Sequence, residues 1–269
     1  MQSSAANDES RMTNEQRPRS FAIVRMDDSD LDVPAVARLI AELLDLSLVD
    51  LIQVLPQRSG ILAENLAEHV ADRCIAVLAA AGIDVRMVPQ SAVIEPPEVV
   101  TLRSGRADED VFFYVASDRK GVVKWPDAIW VDLVSAQELS MDEVGHWSFS
   151  GGGSTGHAGF EGPIQLSTGH RLVTKRPLFV DLVTHEPWLL LRIPQERFEY
   201  AATGLPVFPI RRQNLIAFAA TIASRASAAR LGIGMQWLGS QSPPRENRMP
   251  SQAIYHGYLR WQLTRLFLK

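Results

Sequence analysis

The sequence predicts an α+β protein, a small β-α-α-β-α-β module followed by an antiparallel β-rich domain capped by a helix. Three observations lead there. Residues 21–88 alternate short apolar runs with stretches of helical apolar spacing. Residues 111–193 hold short apolar runs divided by Pro, Gly, Asp or Lys. Residues 211–226 return to helical spacing.

Phe21 to Met26 is rich in β-branched and aromatic residues, is bounded by Asp27-Asp28-Ser29-Asp30, and reads as a strand. Pro34 stands where a first helical turn tolerates proline, and Val36, Leu39, Ile40, Leu43 and Leu44 recur on one face. Leu48, Leu51, Ile52 and Leu55 predict a second short helix, stopped before Pro56. Asn65-Leu66-Ala67-Glu68 matches a capping box with asparagine as the N-cap, so a helix is expected from Leu66, and residues 60–64 before it can be a strand. Val70, Cys74, Val77, Leu78 and Ala81 line one face of that helix, and Gly82 follows as its C-cap. Val85 to Val88 close the module as a third strand.

The run Leu46-Ser47-Leu48 between two helices, then a helix ending Ala80-Ala81-Gly82-Ile83-Asp84-Val85, resembles the C-terminal domain of the bacterial ribosomal stalk protein, whose fold is shared by the Clp-protease adaptor. In the stalk family, lysines on the second helix contact translation factors, and the matching positions here are Val49 and Ile52. The resemblance therefore implies a recognition or scaffold module on the same topology, with apolar residues replacing the family's binding face.

Residues 91–110 contain Pro96-Pro97, Gly105 and Asp108-Glu109-Asp110 and read as a linker, although Val99 to Leu102 can add a strand. Beyond it, residues 111–116, 121–124, 128–134, 178–183 and 188–193 predict strands of one antiparallel system, a barrel or sandwich, with a long Gly-rich loop over 140–175. Arg211 to Ala226 predicts a helix with Leu215, Phe218 and Ile222 on one side. In order and pattern alone, residues 111–230 resemble a pleckstrin-homology-like domain. Residues 233–250, with Pro243-Pro244, read as a tether to an apolar C-terminal helix over 251–269.

The chain has 269 residues, 46% hydrophobic and 22% charged, which is a soluble globular composition with room for two domains. It lacks the run of about 18 apolar residues that a membrane span needs. The first 19 residues are polar, without the apolar region of a signal peptide, and read as a disordered arm. The single cysteine, Cys74, sits on an apolar helix face and cannot form an internal disulfide. A cytoplasmic protein is expected.

Chemistry-bearing patterns are sparse. Gly152-Gly153-Ser154-Thr155-Gly156 satisfies G-x-S-x-G, but the helix that must follow the serine of a hydrolase is not encoded after it. The same glycines fail as a phosphate loop because His157 stands where lysine is required. Asp28, Asp30 and Asp32 have calcium-loop spacing, but Val33 and Leu39 occupy the places of the glycine and the glutamate, so capping explains them better. His146, His157 and His170 share one loop region without a zinc pattern, and Asp181 and His185 stand four apart with no nucleophile beside them. No catalytic, cofactor-binding or metal-ligating residue is assigned, and no cofactor is expected.

Charge is unevenly divided. Residues 171–269 hold 14 Lys and Arg against 5 Asp and Glu, and residues 1–170 hold 13 against 26. The first reading is complementarity within or between chains; the second is a basic face for an anionic lipid or nucleic acid, though the scarcity of tight basic clusters argues against nucleic acid. The helix over 251–269 is too broadly apolar for one stripe, so it packs on its own chain, meets a partner, or lies on a membrane surface. The expected function is a non-enzymatic interaction or adaptor protein with a protein partner or self-association. The alternatives are a hydrolase using Ser154 and an anion binder using the basic C-terminal half.

Overall fold

In the computed structural model, which describes residues 19–148, 165–238 and 249–268, the elements follow in the order β1 (Phe21–Arg25), α1 (Val33–Leu44), α2 (Leu48–Arg58), β2 (Ile61–Leu66), α3 (Glu68–Ala80), β3 (Val85–Pro89), β4 (Val99–Ala107), β5 (Val111–Ala116) and β6 (Lys120–Lys124). Then come β7 (Ala128–Ser135), β8 (Glu138–Ser148), β9 (Gln165–Lys175), β10 (Leu178–Thr184), β11 (Leu189–Pro194), α4 (Arg211–Arg225), β12 (Arg230–Leu231) and α5 (Gln252–Phe267). The architecture is the α+β class that the apolar spacing predicts. The chain divides into two units, Met1–Pro96 with Ala253–Lys269, and Pro97–Gln252.

In the first unit β1 is the central strand of a three-stranded antiparallel sheet ordered β2-β1-β3. Because strand side chains alternate, β1 serves two cores. Ile23 packs with Val36, Ile40, Leu51, Leu55 and Leu78 of the three helices. Ala22 and Val24, with Ile61 and Val88, meet Trp261 of α5 on the other face.

The seat of α5 is built for close approach. The Trp261 indole N–H donates to the Arg25 carbonyl at 2.7 Å, and a Cβ added to Gly60 would lie 2.0 Å from its ring. One added to Gly257 would lie 1.6 Å from the Gln57 carbonyl oxygen. The guanidinium groups of Arg25 and Arg265 stand 4.8 and 4.9 Å from the Trp261 ring centroid. Further along, Arg260 grips Glu64 with two bonds of 2.7 and 2.9 Å and also reaches Glu95. The Thr264 hydroxyl accepts from the Ile94 N–H at 3.0 Å.

Two local expectations in this unit need correction. The capping box does not form: Asn65 lies inside β2, one residue before its end, at a left-handed φ of 58°, which asparagine tolerates, and α3 starts at Glu68 after Ala67, with no side-chain cap. Pairing of Leu66 with Phe21 extends β2 past the expected helix start, so sheet formation overrides the cap. The second helix does not stop before Pro56 but runs to Arg58. Proline there removes one backbone donor in the last turn, and burial of Leu51 and Leu55 holds the helix on its core.

The second unit contains a seven-stranded sheet ordered β12-β7-β10-β11-β4-β5-β6 and a separate β8-β9 hairpin. Its neighbours are antiparallel except β11-β4 and β12-β7. The linker expected over 91–110 in fact supplies β4, whose first residues pair with β11 and whose later residues pair with β5. Pro96-Pro97 and Gly105 disguised a strand that alternates exposed Val99 and Thr101 with buried Val100 and Leu102. The Gly-rich loop expected over 140–175 is largely a hairpin, residues 138–148 pairing with 165–175. Helix α4 covers one sheet face, where Phe218 lies 6.0 Å from Phe112 and 5.5 Å from Phe198.

Trp261→Ala removes both the indole bond and the ring over Gly60. It should lower unfolding stability by about 3–5 kcal/mol, the range for truncating a buried tryptophan. Gly60→Ala should destabilise as well, since the indole has no room to retreat from a methyl group. Urea denaturation of the full chain measures both, and a Trp261→Ala loss below about 1 kcal/mol would contradict this seating of α5.

Candidate functional site

Among the described residues, the sequence candidates for chemistry do not assemble. Ser154 and its G-x-S-x-G run, with His157, lie outside the described residues. His146 and His170 fall on β8 and β9, opposite Ser167 and Glu143. No group of three His, Cys, Asp or Glu is placed to hold a metal ion among the described residues. Cys74 is buried, and burial pushes its thiol up. Asp32 caps α1, accepting from the Ala35 N–H at 3.1 Å, and Asp28 accepts from the Gln262 amide of α5 at 2.8 Å. The Asp28-Asp30-Asp32 spacing is thus absorbed by capping and by the α5 seat. Asp181 is fully buried and held by Arg192, while His185 is half exposed beside Glu186.

Much of the basic charge of the C-terminal helix is spent inside the first unit. Arg260 binds Glu64 and Glu95, and Arg265 binds Asp28. The Arg260 bonds hold the Glu64 carboxyl below its ordinary range. These pairs realise the complementarity of acidic and basic halves within one chain.

A buried pair of carboxylates in the second unit was missed by sequence reasoning. Asp132 on β7 and Asp181 on β10 stand opposite each other, and Arg192 on β11 lies opposite Asp181. Arg192 takes both Asp181 oxygens at 2.9 and 2.8 Å. Asp132 is left to the backbone: its Oδ1 accepts from the Gly234 N–H at 2.9 Å. Burial, reinforced by the neighbouring Asp181 charge, pushes Asp132 up to about 8. Both carboxylates are almost wholly shielded from solvent.

One exposed apolar feature, the one within the first unit's helical layer, is the corner between α1 and α2. Helix α1 ends at Asp45 in the left-handed region, φ 53°, and the Leu46 N–H returns to the Ala41 carbonyl at 3.1 Å. The Ser47 hydroxyl then accepts from the Asp50 N–H and caps α2. Leu51 and Leu55 turn inward, while Leu48, Ile52 and Val49 occupy the outward side. With Leu46 at 51% exposure, Leu48 at 36%, Val49 at 64% and Ile52 at 39%, four large apolar side chains stand open on consecutive turns. Exposed Glu42, Asp45 and Asp50 surround them, and the chain carries no Lys or Arg between Arg38 and Arg58. The structure thereby brings Val49 and Ile52, singled out by position, together with Leu46 and Leu48.

The site defined this far is an acid-flanked apolar surface on an α+β scaffold. No protein-family model, curated protein or solved structure matches the chain.

Asp132 makes stability fall with rising pH. The folded state keeps a proton that the unfolded state, with an ordinary value of 3.8, releases, so between about pH 4 and pH 8 the native state binds more protons. The stabilisation is full below the lower value and is lost as pH rises through the upper one. Asp132→Asn should flatten this part of the profile. Measured by urea unfolding at pH 5 and pH 7, the wild type should lose stability relative to the variant with a slope of up to about 1.4 kcal/mol per pH unit. Parallel profiles would contradict the assignment.

Proposed function

We propose that the chain is a non-enzymatic interaction or adaptor protein whose α1–α2 corner receives a protein partner. The observation that carries this reading is the exposure of Leu46, Leu48, Val49 and Ile52 on one corner of an otherwise closed helical layer. Covering a large apolar side chain is worth about 1.5–3 kcal/mol, so a partner seated on this patch gains several kcal/mol from it. The acidic border selects the partner: Glu42, Asp45 and Asp50 favour an apolar segment flanked by Lys or Arg, such as a basic amphipathic helix. The stalk-like resemblance adds support, because it puts the family's contacts on this same helix.

The double variant Val49→Asp/Ile52→Asp leaves Leu51 and Leu55 in place and should fold as the wild type does. Affinity capture from the native host with both proteins, followed by titration of the captured partner, should show binding at least tenfold weaker for the variant. The bound partner should carry a basic amphipathic segment at the contact. Identical partners captured with identical affinity would overturn the reading.

A further inference from the structure

The second unit carries an exposed apolar loop ahead of α4. Residues 206–211, Pro-Val-Phe-Pro-Ile-Arg, are all exposed, with Val207 at 57%, Phe208 at 43% and Ile210 at 57%. Internal bonds hold the loop in shape. Asn214, buried on α4, brackets Phe208: its side-chain oxygen accepts from the Phe208 N–H at 2.6 Å, and its amide donates to the Phe208 carbonyl at 2.9 Å. At the entry to the loop the Thr203 hydroxyl accepts from the Leu205 N–H at 3.2 Å, and Gly204 turns the chain at a left-handed φ of 77°. A buried amide thus fixes the backbone that presents three large apolar side chains to solvent.

We infer that this loop dips into the surface of an anionic lipid bilayer, with Val207, Phe208 and Ile210 entering the headgroup layer and Arg211 and Arg212 meeting lipid phosphates. The backbone favours lipid over a protein groove. A water-poor layer penalises open backbone polar groups, and this loop has few. Pro206 and Pro209 have no N–H. The Leu205 N–H and both polar groups of Phe208 are bonded to side chains. The Ile210 carbonyl accepts from the Gln213 and Asn214 N–H groups at 3.0 and 3.3 Å. Such a tip offers a partner protein little backbone to bond, and it leaves few backbone groups unbonded when it leaves water. Charge sets the sign of the surface. Arg211 is exposed and Arg212 half-buried, and neither forms an ion pair among the described residues. Glu196 and Glu199 precede the loop with Arg197 between them, and no Asp or Glu follows until Glu246. Three apolar side chains alone hold a bilayer weakly, so the adjacent cations supply the rest of the attraction, and arginine forks match phosphate oxygens.

Sedimentation of the full chain at low salt tests this with vesicles of phosphatidylcholine alone and of phosphatidylcholine with about 30% phosphatidylserine. The anionic vesicles should bind about tenfold more tightly than the neutral ones, and high salt should weaken the association. Val207→Ser/Phe208→Ser alters exposed side chains and keeps the Asn214 bracket. It should bind about tenfold more weakly with an unchanged melting temperature, and Arg211→Gln should narrow the preference for anionic vesicles. A polarity-sensitive fluorophore attached through Val207→Cys, with buried Cys74 left unlabelled, should shift to the blue on the anionic vesicles. Val49→Asp/Ile52→Asp should sediment as the wild type does, so the loop and the α1–α2 corner are tested separately. The inference is overturned if the protein stays in the supernatant, whether or not a soluble protein is captured through Phe208. It is equally overturned if the double serine variant binds like the wild type or if the label at position 207 does not shift.

Discussion

The seating of Trp261 is the contact on which the first unit rests. A three-stranded sheet with helices on one face leaves its other face open, and here that face presents Ala22, Val24, Ile61 and Val88. Helix α5 supplies the missing layer. Gly60 lets the indole approach, Gly257 lets the helix backbone approach, and the Arg25 carbonyl satisfies the buried indole donor. The chain leaves this unit at Pro96 and returns to it at Ala253, so its last helix completes a core begun by its first strand.

That arrangement narrows what each charged or apolar feature is free to do. The arginines of α5 are engaged with Glu64, Glu95 and Asp28, and Trp261 and Leu259 are buried. A helix used in this way does not lie on a membrane surface. Among the described residues no helix is long and apolar enough to cross a membrane. Apolar surface remains open at the α1–α2 corner, where the border is acidic.

Elements with a clean period were legible in the sequence. The β-α-α-β-α-β order, five strands of the second unit and α4 all follow from apolar spacing and turn residues. Errors arose where long-range pairing overrode a local signal. Asn65 and Glu68 carry every mark of a cap, yet β1 pairs through Leu66. Residues 99–107 look like part of a linker because Pro96-Pro97 precede them and Gly105 interrupts them, yet they form an interior strand. The run Ala22 to Val24 held an unread clue: three successive buried residues on a strand require a layer on each face. The exposed pair Val49 and Ile52 was visible by position, but their union with Leu46 and Leu48 depends on the turn at Asp45. The Asp132–Asp181–Arg192 row depends on strand register, which spacing along the chain does not encode.

Native-state hydrogen exchange on the full chain tests most directly whether α5 is a layer of the first unit. Amides of β1 at Ala22 and Val24 and amides of α5 around Leu259 to Leu263 should exchange through one shared opening, with the same free energy and the same denaturant dependence. Exchange of the α5 amides through an independent opening, orders of magnitude faster while β1 stays protected, would contradict the account.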